Sequence, residues 1–441
     1  MQREALSPQP LFETLGRVRR AVGSSLEVSG CEQGLGQRCA IELPTRRITA
    51  EIVGFHDGIT HVQPFADVTG LQVGARVWPI DTEPRPCLDA LLGRVVNGLG
   101  EPLDGSPIRT TEDNVYGSPK PINPLQRQPI TAQMDLGVRS INALLCVGIG
   151  QRIGLFAGSG VGKSVLLGML ARFVKADVVV VALIGERGRE VREFIEENLG
   201  EGLSRSVVIA SPADDSPVLR IRAAFLATEI AECYRAEGKN VLLLMDSLTR
   251  IAQAQREVGL AAGEPPTTKG YTPSVFRLMP TLVERAGTSG PDEGAITAIY
   301  TVLTEEDDMQ EPVADAARSI LDGHFVLDRN LAEAGLYPAI NVPSSISRLM
   351  SKLTDTEHQE AARTFRQLWS RYAQQEDLIN VGAYVEGSDP STDRAIRMRV
   401  KLEAFLCQDI HTPVSLSESR SQLMDLFLEN KLPVVESDGE P

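Results

Sequence analysis

Residues 152–174 read RIGLFAGSGVGKSVLLGMLARFV, and this stretch decides the fold. Arg152–Phe156 is an apolar strand candidate, and the closing VLLGMLARFV carries apolar residues at helical spacing. Between them, AGSGVGKS (157–164) fits the phosphate-loop pattern G-x-x-x-x-G-K-S/T, with Ala157 where the first glycine usually stands. Glycines let the backbone curl so that successive N–H groups aim at phosphate oxygens. The helix starting near Lys163 adds the positive end of its dipole. The expected nucleotide-binding set is Gly158, Ser159, Gly160, Val161, Gly162, Lys163, Ser164 and Val165. Lys163 would reach the β- and γ-phosphates, and the Ser164 hydroxyl would hold Mg²⁺. The strand leading in and the helix leading out separate this site from a glycine-rich turn that binds nothing.

Outward from the loop, Val178–Ile184, Ser206–Ala210, Val241–Met245 and Ala295–Leu303 are further apolar strand candidates alternating with helical stretches. Strands unbroken by polar alternation indicate a parallel sheet covered on both faces. The strand NVLLLMD (240–246) ends in Asp246, a carboxylate expected in the Mg²⁺ shell through water. GERGRE (185–190) follows Val178–Ile184 at the carboxyl end, where such sheets place ligands. Glu186 is the candidate for polarising the attacking water. Glu190 has two readings, a metal-supporting carboxylate or part of a salt-bridged helix start.

The remaining chain divides into an α/β architecture of about three domains, as 441 residues suggest. Residues 1–92 read as a small β-barrel: pieces such as Ala50–Phe55 and Thr60–Pro64 are separated by Gly and Asp turns. Residues 93–134 form a connector, with six prolines between Pro102 and Pro129. Residues 135–348 are the phosphate-loop core. Residues 349–441 form a helical domain, with apolar periodicity over Glu357–Gln375 and Asp393–Cys407, and an acidic tail from Pro433 expected to fray.

Composition excludes several classes. The net charge is −15, and residues 1–100 carry ten Arg and no Lys against eleven acids, so a nucleic-acid-binding barrel is not expected. No run approaches the 18 or so apolar residues of a membrane span, and the N-terminus has no apolar stretch for secretion. Six scattered cysteines, without C-x-x-C pairs, read as reduced and mostly buried thiols in a cytoplasmic protein.

GLFAGSGVGKSVLLGMLAR, ALIGERGREVREFIE, VLLLMDSLTRIAQAQRE and GLYPAINVPSSISR resemble the catalytic subunits of rotary ATP synthases and, more closely, the ATPases of type III protein export. NPLQRQPI (123–130) and VGAYVEGSDP (381–390) are similar to the flagellum-specific branch. Asn97 departs from the Asp that often follows G-R-V-x in this family. The resemblance implies a RecA-like core and a homohexameric ring with MgATP bound between neighbouring subunits. Arg348 matches the arginine finger that reaches the adjacent subunit's γ-phosphate. Tyr337 matches the aromatic that stacks on adenine, with Phe405 either closing that pocket or packing its helix. Arg187 and Arg250 match site arginines, although Arg250 could equally pair with Asp246.

Implied partners are export-gate membrane proteins, a regulatory peripheral-stalk protein, a central-stalk protein, and export chaperones and substrates, with no nucleic acid. The implied location is the cytoplasmic side of the inner-membrane export apparatus. The loops 263–276 and 304–312 correspond to segments near the ring's centre in relatives, or else are solvated connectors. Leu11, Leu15, Val18 and Val22 form either a stripe for the peripheral stalk or the first strand of the barrel. The alternatives are the catalytic subunit of a proton-translocating rotary synthase, a hexameric nucleic-acid translocase, and a nucleotide-binding scaffold without turnover.

Overall fold

Six short strands with alternating burial open the chain: β1 (Gly16–Val22), β2 (Ser25–Ser29), β3 (Arg38–Glu42), β4 (Arg47–His56), β5 (Ile59–Pro64) and β6 (Arg76–Ile80). They close into a barrel in the order β1-β2-β5-β4-β3-β6. Every second side chain points inward, so Leu26, Val28, Ile41, Ile52, Val62 and Val77 fill the interior. The computed structural model describes residues 16–23, 25–80, 85–111, 122–304, 308 and 310–428. Val18 is 2% exposed and belongs to this interior, which favours the barrel-strand reading of its segment. Leu11, Leu15, the Val22 side chain and the acidic tail lie outside the described residues.

Past the barrel come β7 (Arg85–Pro86), β8 (Arg94–Val96) and β9 (Thr110–Thr111). β7 pairs with β9. β8 lies within the segment read as connector, yet it belongs to the core sheet. Its Val95 and Val96 are buried, and it pairs in parallel with a core strand. The core then alternates strand and helix: α1 (Arg139–Leu144), β10 (Arg152–Ala157), α2 (Lys163–Phe173), β11 (Val178–Ile184), α3 (Gly188–Glu193), β12 (Ser206–Ser211), α4 (Pro217–Ala236), β13 (Val241–Asp246), α5 (Leu248–Ala261), α6 (Pro273–Val283), β14 (Gly287–Thr288), β15 (Ala295–Leu303), α7 (Pro312–Ile320), β16 (Gly323–Val326), α8 (Arg329–Glu333) and β17 (Ile346–Ser347).

The sheet runs β17-β16-β10-β15-β13-β11-β12-β8, with β14 paired to β15 off this path. All ladders are parallel except β16–β17 and β14–β15. All seven residues of β11 are buried, because helices cover both faces. Each such Val or Leu stabilises the fold by about 1.5–3 kcal/mol relative to exposure.

One face is covered by α2 together with the C-terminal helices, so the core and the helical domain share one hydrophobic cluster. Those helices are α9 (Met350–Leu353), α10 (Thr356–Asn380), α11 (Pro390–Leu406) and α12 (Leu416–Leu428). α10 and α11 begin where Asp355 and Asp389 accept hydrogen bonds from the first-turn N–H groups. Phe365 of α10 lies 5.4 Å from Phe405 of α11 and 6.3 Å from Trp369. All six cysteines are free thiols, but only Cys39 and Cys146 are fully buried; the other four are half-buried, short of the mostly buried set expected.

Candidate nucleotide site

Three parallel strands deliver the site residues from their carboxyl ends. The phosphate loop follows β10, Glu186 follows β11, and Asp246 ends β13. Gly160 and Gly162 take left-handed φ values of 76° and 87°, a conformation that favours glycine, and Gly162 caps α2. Lys163 thereby starts the helix with its side chain directed at the neighbouring strand ends. Its Nζ lies 2.5 Å from Asp246 Oδ1 and 3.2 Å from Glu186 Oε1.

This triad is largely withdrawn from solvent: the side chains of Lys163, Glu186 and Asp246 are 12%, 15% and 5% exposed. Burial pulls the Lys163 ammonium down, but the charges of Asp246 and Glu186 outweigh it and hold its pKa above the ordinary value. Burial and then the Asp246 charge raise the Glu186 carboxyl, with the Lys163 cation opposing them. In such a cluster a carboxylate can accept a proton, and the lysine can leave its carboxylate partners to bind an incoming phosphate.

Ser164 and Val165 face solvent at the start of α2. The Tyr337 ring, 42% exposed, lies over the phosphate loop: a Cβ built on Gly162 would sit 3.2 Å from its Cε1. Two bonds fix this tyrosine's loop. Gln408 N donates to Tyr337 O at 3.0 Å, and Asn341 Nδ2 donates to Asp328 Oδ2 at 2.7 Å. Phe405, read either as closing that pocket or as packing its helix, is 3% exposed and packs between Phe365 and the Arg139 guanidinium.

Arg187 is exposed and lies 3.5 Å from Glu190. Arg250 does not pair with Asp246: its stem packs on Gly185 and its Nη1 donates to Gln253 at 3.0 Å. Asn97 organises its turn instead, accepting from the N–H groups of Leu99 and Glu101 at 2.9 Å. Lys269, in the loop 263–276, has its Nζ 3.8 Å from Oδ2 of Asp308, one of the described residues of the loop 304–312.

Arg348 lies at the far end of the sheet. Its N–H donates to Asp322 O at 3.1 Å, and Asp322 is paired with Arg152, the first residue of β10. The phosphate loop begins only after Ala157, five residues on, or roughly 17 Å of strand. That span exceeds the reach of an arginine side chain. The exposed Arg348 guanidinium donates to Arg318 O at 3.3 Å.

Among the described residues, no group of three or more His, Cys, Asp or Glu is placed to hold a metal ion. A nucleotide-bound Mg²⁺ needs no such cage, because phosphates and water supply most of its oxygens. Ser164 and Asp246 are oxygen donors of the type it takes.

The sequence reading missed Thr301 on β15. Its Oγ1 donates to Asp246 Oδ1 at 2.6 Å. The available signal was a threonine next to Tyr300 inside the otherwise apolar run AIYTVL (298–303).

Comparison with known proteins shows the family. Residues 137–347 match the nucleotide-binding domain of the ATP synthase alpha/beta family, and residues 354–425 match the EscN-type C-terminal domain of type III secretion ATPases. The flagellum-specific ATP synthase of Pseudomonas aeruginosa is 55% identical over 429 residues, covering 96% of this chain and 95% of that protein. Its counterpart in Salmonella typhimurium is 53% identical over 431 residues, covering 95% and 94%. The assembled ATPase EscN from the enteropathogenic E. coli type III secretion system superposes with a TM-score of 0.86 at 41% identity, covering 93% of this chain and 99% of EscN. EscN in complex with its central stalk EscO gives a TM-score of 0.84 at 42% identity, with coverage of 93% and 99%. The C-terminal match favours the export branch over a proton-driven synthase subunit or a nucleic-acid translocase. The chain belongs to the flagellum-specific ATP synthase family, P-loop ATPases that join the alpha/beta nucleotide-binding domain to a type III secretion C-terminal domain.

Proposed function

We propose that the protein hydrolyses MgATP at sites shared between adjacent copies of a homohexameric ring, and that turnover drives flagellar protein export. The observation that carries this reading is the separation of Arg348 from the Lys163–Glu186–Asp246 cluster by the length of β10. One subunit thus offers the phosphate loop, the metal-supporting Asp246 and the water-polarising Glu186. The next offers Arg348 to the γ-phosphate.

The roles divide by chemistry. Backbone N–H groups of residues 158–165 and Lys163 hold the phosphates. Ser164 and Asp246 would hold Mg²⁺, which neutralises charge on the transferred phosphoryl group; Glu190 is a further carboxylate near that shell. Glu186 orients the attacking water, Tyr337 stacks on the base, and Arg187 is a basic group at the site's rim. A neighbour's arginine at the transition state contributes about 10³–10⁵ in rate.

The assembled state of EscN and its complex with the central stalk EscO support assembly and a central-stalk partner here. The loops 263–276 and 304–312 are the segments offered to that stalk. Export-gate proteins, a peripheral-stalk protein, and export chaperones and substrates complete the partner set. The ring would work at the export apparatus; none of the helices among the described residues is long and apolar enough to cross a membrane.

Mixing two inactive variants tests the shared site. Lys163→Ala and Arg348→Ala are each expected to abolish turnover, yet mixed rings would contain some interfaces with both groups intact. Partial recovery of ATPase activity on mixing is expected. No recovery, with mixed rings shown to form, would place Arg348 outside the neighbour's site.

A further inference from the structure

Asp246 is 4% exposed, and its Oδ1 accepts two hydrogen bonds: Lys163 Nζ at 2.5 Å and Thr301 Oγ1 at 2.6 Å. Thr301 is fully buried on β15, the strand that separates β10 from β13. The ladder pairs Tyr300 with Met245, which sets Thr301 beside Asp246, and pairs Thr301 with Leu155 on the other side.

A threonine hydroxyl has one proton to donate. Met245 O lies 3.4 Å from Oγ1, against 2.6 Å for the carboxylate, so the proton goes to Asp246. Burying a hydroxyl without a partner is costly, and valine would offer the same branched shape among the apolar neighbours of β15. Packing therefore does not account for the hydroxyl, whereas Asp246 does.

The two donors differ in what a nucleotide does to them. Phosphates arriving at the loop draw the Lys163 ammonium toward themselves, which strips Asp246 of its cation. Thr301 stays, because it is fixed in the strand. We propose that Thr301 is a positioning residue, whose hydroxyl holds the Asp246 carboxylate in the orientation from which it supports the Mg²⁺ of bound nucleotide. This inference rests on the MgATP reading above. Partners that orient a metal-supporting group typically matter by 10–100-fold in metal affinity.

The experiment compares the full-length chain with Thr301→Val and Thr301→Ser, using equilibrium binding of a fluorescent ADP. Binding is measured in EDTA and across a Mg²⁺ titration, with thermal unfolding of the nucleotide-free proteins alongside. Thr301→Val is expected to raise the Mg²⁺ midpoint about tenfold while leaving binding in EDTA unchanged. Thr301→Ser, which keeps the hydroxyl, is expected to return the midpoint to within about twofold of the parent. Thr301→Ala gives the same readout should the valine variant not fold.

A purely structural threonine would lower the melting temperature and leave the Mg²⁺ midpoint in place; that result overturns the proposal. Equal weakening with and without Mg²⁺ also overturns it. Parental binding that is itself indifferent to Mg²⁺ would overturn the MgATP reading and this inference with it, a different signature from failure of Thr301 alone.

Discussion

Glu186 sits one residue past Gly185, whose left-handed φ of 72° turns the chain out of β11 and toward the phosphate loop. A side chain at 185 would meet Arg250 Cβ at 2.7 Å, so the close approach of α5 also requires glycine. The carboxyl that follows is poised by opposing influences: burial and Asp246 raise it, and Lys163 lowers it. Exchanging it for an amide keeps the shape and removes the base. Glu186→Gln is expected to bind ATP within a few-fold of the parent while hydrolysis falls by about 10²–10⁴. Single-turnover assays with a parallel binding measurement check this, and near-parental turnover would remove Glu186 from its role.

At the scale of elements, β8 shows how a segment that reads as linker becomes part of the sheet. Its Arg94 is bound to Asp104 by two hydrogen bonds of 2.6 and 2.7 Å, which fold the following turn back against the strand. The bond to Arg94 holds the Asp104 carboxyl down to about 2, against partial desolvation and with help from the N–H groups of Ser106 and Val95. A carboxyl depressed in the folded state contributes stability in full above its ordinary value of 3.8, and loses it as pH falls towards about 2. Asp104→Asn should therefore cost about 0.5 kcal/mol near neutrality, the pair being solvent-screened, and flatten the acid limb between those values. Urea unfolding of both proteins across that range checks the sign. Identical pH profiles would show that the turn does not depend on this charge.

Across the whole molecule, the barrel has a closed core of its own, while the ATPase core and the C-terminal helices share one apolar cluster. The bond from Gln408 N to Tyr337 O joins the segment after α11 directly to the loop over the nucleotide site. On the proposed function, this bond would carry a shift of the helical domain to Tyr337. On the shared-site proposal, the separated Arg348 makes activity depend on assembly. ATPase activity per chain is expected to fall as the protein is diluted below ring formation. Assays across a concentration series, with the oligomer followed by light scattering, check this; a constant rate per chain in dispersed monomer would defeat the shared site.

Much of this was legible along the chain. AGSGVGKS, Glu186 and Asp246 follow apolar strands, and a parallel sheet places strand ends together, so their convergence could be expected from order alone. Periodicity likewise marked α10 and α11, because burial of one helix face leaves its trace at spacings of three and four. Other features depend on contacts far apart in sequence. Thr301 meets Asp246 across 55 residues, Arg250 turns to Gln253 rather than to the carboxylate, and Phe405 is drawn into packing with Phe365. β8 pairs with β12 although its neighbours read as turns. Local pattern records which backbone each segment prefers and which face it buries. It holds no record of which partner fills a given hydrogen bond, since that choice is made by register and by the order of strands in the folded sheet.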